Sequence, residues 1–160
     1  MADREDPTTV PEMKLELVPI PVSDVDRAKE FYAGLGWRLD ADISDGDAFR
    51  VVQFTPPASE ASIHFGKGVS TMQPGSIETL VLAVEDVQAA REELVAHGVE
   101  VSEIFHGPGA GFLHPAPPTR ETGPDPEGGS YVTWATFSDP DGNGWLLQEI
   151  KRRLPGREWD

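Results

Sequence analysis

Apolar residues recur at helical spacing twice in this chain, with the same frame around them each time. Val25, Ala28, Tyr32 and Leu35 fall on one face of a helix, and Val87, Ala90 and Leu94 fall on one face of another. The frame is Val22-Ser23-Asp24-Val25 in the first copy and Val84-Glu85-Asp86-Val87 in the second, an offset of 62 residues. At that offset Val22/Val84, Asp24/Asp86, Val25/Val87, Ala28/Ala90, Glu30/Glu92 and Gly36/Gly98 are identical. Asp24 and Asp86, or Ser23 in the first copy, can accept hydrogen bonds from the free amides of a first helical turn. Gly36 and Gly98 suit the left-handed residue that stops a helix. The pattern predicts helices over 24–35 and 86–97 in two similar modules packed against each other.

Strands flank each helix. Met13 to Ile20 alternates Met, Leu, Leu and Pro against Lys, Glu, Val and Ile, which predicts a first strand. Pro19 and Pro21 lack amide protons, which speaks against a central strand and suggests a sheet edge or a strand end. Further strands are predicted over 37–43, 49–55 and 61–65, separated by Ser44-Asp45-Gly46-Asp47 and Pro56-Pro57-Ala58-Ser59. The second half predicts strands over 78–84 and 99–104. A closing hairpin over 131–137 and 144–150 turns on Asp139-Pro140-Asp141-Gly142-Asn143. The outcome is an α/β (α+β) domain over 13–150. Module one spans 13–66, a linker 67–76, and module two 77–150. A Gly- and Pro-rich insertion at 106–130 has no counterpart in module one, and a loop of that length suits a lid over a pocket. Its bland alternative is a surface insertion. Residues 1–12 are charged and poor in apolar side chains, which predicts disorder, and 151–160 form a tail.

A domain of 160 residues buries roughly 70% of its unfolded surface and needs no staple. The chain has no cysteine, so thiolate chemistry is excluded. No apolar run reaches a membrane span, and a cytoplasmic location is expected. A net charge of −15 argues against nucleic acid as a partner. The basic run Lys151-Arg152-Arg153 reads as a solvated end.

With V-x-D-h at each helix start and D-P-D-G-N before the last strand, the chain resembles the vicinal oxygen chelate superfamily of glyoxalase I, extradiol dioxygenases and bleomycin-resistance proteins. The resemblance covers about Met13 to Ile150. It implies two βαβββ modules whose eight strands curve into a cleft. It also implies four metal-ligand positions, which fall here on Leu17, His64, Thr79 and Leu146. Leucine has no donor atom and a threonine hydroxyl is a poor one, so neither a metal nor any other cofactor is expected.

The expected ligand-binding set is Leu17, Pro19, His64, Thr79, Tyr131, Trp134, Leu146 and Gln148, for a small apolar or aromatic molecule that is sequestered or carried. His64 is the one catalytic candidate, as an acid/base near neutral pH, with a structural histidine as the alternative. Gln148 should share a face with Leu146, and Glu149 should point the other way. Tyr131 and Trp134 could wall the pocket or pack in the core. Two alternatives stand beside the binding protein: a metal-independent enzyme using His64, and a metal-dependent lyase or dioxygenase with substituted ligands. The resemblance also implies a homodimer, for which Trp37, Phe49 and Trp145 are apolar residues in want of partners. Asp139-x-Asp141-x-Asn143 mimics half a calcium loop, but Ile150 stands where the bidentate glutamate belongs.

Overall fold

The computed structural model describes residues 9–158. Of the predicted N-terminal segment, residues 1–8 lie outside this range, and residues 9–12 are exposed and irregular.

Module one runs β1 (Leu17–Pro19), α1 (Val25–Gly34), β2 (Arg38–Asp45), β3 (Phe49–Thr55) and β4 (Ser62–Lys67). Module two runs β5 (Leu80–Val84), α2 (Val87–Ala96), β6 (Phe105–His106), β7 (Glu121–Thr122), β8 (Thr133–Ser138) and β9 (Gly144–Glu149). Sheet one has the order β1-β4-β3-β2 and sheet two the order β5-β9-β8-β6-β7. The first strand of each module lies parallel to the last, and the other pairs are antiparallel. Two mixed sheets and two helices make an α+β fold that does not close into a barrel.

The helix frames form as their residues dictate. The Asp24 carboxylate accepts the Arg27 amide at 3.0 Å, and the Asp86 carboxylate accepts the Ala89 amide at 3.0 Å. Gly36 and Gly98 follow the C-caps at φ +81° and +83°. Ser23 does not cap the helix. It turns to Asp141, donating from its amide at 3.1 Å and from its hydroxyl at 2.5 Å.

Three strand expectations need correction. The first strand is confined to Leu17–Pro19, with Met13 and Leu15 exposed. The edge position inferred from the prolines holds, since β1 has β4 alone as neighbour. Residues 99–104 form no ladder. The Arg91 guanidinium takes the carbonyls of Ser102 at 2.8 Å and Val101 at 3.4 Å, and the Ser102 hydroxyl takes the Thr136 amide at 2.9 Å. Apart from the Ser102 amide, which donates to Thr136 O at 2.8 Å, these groups are taken by side chains, and the ladder starts at Phe105. Third, the insertion contributes β7, so sheet two has five strands and the described residues form nine in all.

One apolar core unites the modules. Val52, Phe54, Ile63 and Phe65 of sheet one share it with Ala135, Phe137, Trp145 and Leu147 of sheet two, and α1 lies between with Ala28 and Tyr32 buried. Trp37 and Trp145 meet edge to face with centroids 5.1 Å apart. Both tryptophans therefore find partners inside the chain, and of the three residues invoked for pairing only Phe49 stays exposed.

Polar groups stitch the modules at the same seam. Asn143 is fully buried and its amide nitrogen donates to Pro21 O and Asp139 Oδ2, each at 2.8 Å. Its Oδ1 accepts the Ile77 amide at 3.2 Å. The Tyr32 hydroxyl donates to Asp139 Oδ2 at 2.9 Å and accepts from Trp145 Nε1 at 3.0 Å. Burial, then the Asp139 charge, push the Tyr32 pKa far above its ordinary value, so the hydroxyl stays a donor. The Asp139 carboxylate is occupied by Tyr32, Asn143 and the Asp141 amide, as a turn and not as a calcium loop.

Replacing Asn143 with Ala strands the Ile77 amide and takes one of two donors from Pro21 O, which keeps Gly75, and from Asp139 Oδ2, which keeps Tyr32. We expect a loss of about 3 kcal/mol in urea unfolding. Tyr32→Phe, which keeps the ring packing, should lose roughly half as much.

Candidate functional site

Strand alternation divides the residues of both sheets between two tasks. One set points into the shared core. The other set forms an outer face on each sheet. On sheet one the outer set is Leu17, Pro19 and His64, because Leu17 pairs with Ser62 and Pro19 with His64, while Val18 pairs with the core residue Ile63. On sheet two it is Thr79, Val81, Ala83, Trp134, Leu146 and Gln148. Their neighbours Trp145 and Leu147 face the core, and Glu149 takes the Val87 amide at 3.0 Å at the head of α2. Gln148 and Glu149 thus lie on opposite faces as their spacing predicts.

The expected set therefore falls into two groups. Thr79 and Leu146 line one cavity of about 390 Å³ with Gly111, His114, Arg120 and Thr136, and no residue of β1 or β4 shares it. Tyr131 and Gln148 line a neighbouring cavity of about 330 Å³ with Val81, Ala83 and Leu154. Leu17, Pro19 and His64 stand together on the other sheet. Packing the helix-bearing faces against each other turns the two outer faces away from one another within one chain.

The insertion lies against sheet two. Phe105, Ala110, Trp134 and Leu146 form a second apolar cluster. Trp134 is 1% exposed, packed by Phe105 and edge-on by Phe112. Its Nε1 has no hydrogen-bond partner, an unusual state for a buried donor. The Arg120 guanidinium sits 3.5 Å from the Phe105 ring centroid, and the Thr79 hydroxyl meets His114 Nε2 at 2.9 Å. Sequence reasoning missed His114, Arg120, Val81 and Ala83. The last two were within reach, since they continue the alternation from Thr79. The first two depend on how the insertion folds back.

The four ligand-equivalent positions do not fit a divalent ion. Leu17 and Leu146 have no donor, Thr79 is bonded to His114, and His64 lies on the other sheet. Among the described residues, no three His, Asp or Glu side chains gather where they could hold one.

The chain matches the model of the Glyoxalase/Bleomycin resistance protein/Dioxygenase superfamily over residues 14–147, and it belongs to that family. Among solved structures it is similar to TnmS3, an antibiotic binding protein from Streptomyces sp. CB03234. Identity is 30%, 89% of this chain and 99% of that one are covered, and the TM-score is 0.64. A glyoxalase/bleomycin resistance protein from the same Streptomyces strain is 31% identical over 85% of this chain and 100% of its own, with a TM-score of 0.60. A superfamily member from Sphaerobacter thermophilus DSM 20745 is 25% identical over 86% and 98%, with a TM-score of 0.61. No curated protein matches the chain.

Two outcomes test this geometry. A Cβ added to Gly111 would stand 2.8 Å from three atoms of the Trp134 indole. Gly111→Ala should therefore lift the insertion, lower stability by about 1–3 kcal/mol and shift tryptophan emission to the red. The second concerns His64, whose pKa burial lowers from the ordinary 6.5. The unfolded chain then takes up this proton more readily than the folded one, so the group destabilises the fold as pH falls below that ordinary value. His64→Gln should flatten the decline in melting temperature between about pH 7 and pH 5.

Proposed function

We propose that the protein binds a small apolar or aromatic molecule on the outer face of sheet two and sequesters or carries it without a metal or other cofactor. The observation that carries this reading is the covered platform of Trp134, Leu146 and Gln148. It is an apolar surface with few polar groups, overlaid by an insertion. The antibiotic-binding description of TnmS3 supports the same class of activity. The unpaired Trp134 Nε1 suits a ligand that brings an acceptor once the insertion is displaced.

The reading includes a homodimer acting in the cytoplasm. Leu17, Pro19 and His64 of one protomer would then lie opposite sheet two of its partner, completing a cleft that one chain leaves divided. Exposed Ile43, Phe49 and Val81 support an apolar pairing face. Among the described residues no helix is long and apolar enough to cross a membrane.

A second reading, metal-independent proton transfer by His64, draws on the neutral imidazole that burial favours. The two separate cleanly. Small molecules that co-purify with the full chain are identified by mass spectrometry and titrated back onto it. Trp134→Ala should weaken binding about tenfold or more, and the ligand should be recovered unchanged. Chemically altered ligand, with turnover lost in His64→Ala and affinity kept, would establish the enzyme instead.

A further inference from the structure

The C-terminal segment reads in sequence as a solvated end, but in the fold it is tied down. The amides of Lys151 and Arg152 donate to the Ser130 hydroxyl at 2.9 and 2.8 Å, and the Leu154 amide donates to the Tyr131 hydroxyl at 3.0 Å. Tyr131 is itself constrained. It sits at φ +70°, a left-handed backbone that a bulky non-glycine residue adopts only when its surroundings enforce it. Its amide donates to Glu149 O at 2.9 Å, and its carbonyl accepts Gln148 Nε2 at 3.2 Å. One strained residue therefore joins the tail, the last strand and the polar anchor of the outer face.

The consequence is a cavity of about 330 Å³ with two unlike walls. Val81 and Ala83 of β5 supply an apolar floor, with Leu154 folded over from the tail. Arg153 and Arg157 line the same space. Four of the chain's 13 cationic residues lie within residues 151–157, in a protein of net charge −15. Lys151 is engaged by Glu149 at 3.3 Å, whereas Arg157 makes no ion pair among the described residues. Elsewhere the field of such an acidic protein repels organic anions. Here guanidinium groups border an apolar space of ligand size.

We propose that this cavity selects an aromatic carboxylate, with the ring on Val81 and Ala83 and the carboxylate facing Arg153 and Arg157. The proposal rests on the binding reading given above and adds the charge of the ligand.

The test compares naproxen, an aryl carboxylate, with its uncharged methyl ester, by calorimetry on the full chain in low salt. The acid should bind about tenfold more tightly than the ester, and added salt should narrow the gap. The double variant Arg153→Gln/Arg157→Gln should weaken the acid alone and bring the two ligands level. Arg38→Gln/Lys67→Gln, which removes the same two positive charges from sheet one, should leave the ratio intact. Unchanged melting curves establish that the variants are folded. Equal or tighter binding of the ester to the unaltered protein would overturn the proposal and leave the binding reading standing. So would a preference for the acid that survives in the double variant. If neither compound binds, the proposal fails, and the co-purified molecules and Trp134→Ala decide the binding reading independently.

Discussion

The buried contact between Asp139 and Asn143 is the constraint on which the rest depends. It sits in the turn between the last two strands, yet its partners come from across the chain: Tyr32 in α1, Pro21 after β1, and Ile77 before β5. A buried amide and carboxylate are tolerable only when their hydrogen-bonding groups are met, and here they are met by both modules. The turn therefore fixes how the modules sit on each other as well as the register of β8 and β9. Asp141 extends the tie outward to Ser23 and Arg27. A single five-residue turn thus holds the helix-bearing faces together and commits the opposite faces to solvent or ligand.

Local features were legible in the sequence because local physics decides them. The caps at Asp24 and Asp86, the left-handed glycines 36 and 98, the edge position of β1 and the closing hairpin all follow from short-range hydrogen bonding and backbone sterics. Strand alternation likewise separates Gln148 from Glu149 and groups Thr79, Val81 and Ala83. What sequence could not carry was the relation between the sheets. Trp37 and Trp145 look unpartnered in one dimension because they meet edge to face across the seam. The same relation separates Leu17 and His64 from Thr79 and Leu146, residues that a cleft model places together.

The misreadings share a cause. Residues 99–104 have a strand's composition, but Arg91 reaches over from α2 and takes two of their carbonyls. The basic tail looks solvated until Ser130 and Tyr131, more than twenty positions earlier, accept its amides. Each case is a side chain satisfying a distant backbone group. Such bonds leave no period in the sequence, so propensity and pattern cannot register them.

The two-faced strands also explain how a fold associated with metal enzymes can tolerate leucine at positions 17 and 146. Stability resides in the inward residues, in the aromatic cluster around Tyr32 and Trp145, and in the polar turn. None of these is an outer-face residue. A change at an exposed outer-face position alters what the sheet can hold without loosening how it is held, whereas Trp134 and Leu146 are themselves packed in the second apolar cluster. On sheet two the chain has placed apolar side chains, an indole and an amide on that face, and has laid an insertion and a cationic tail beside them. On the proposed reading this face recognises a molecule by shape and charge, while the scaffold behind it is that of the superfamily.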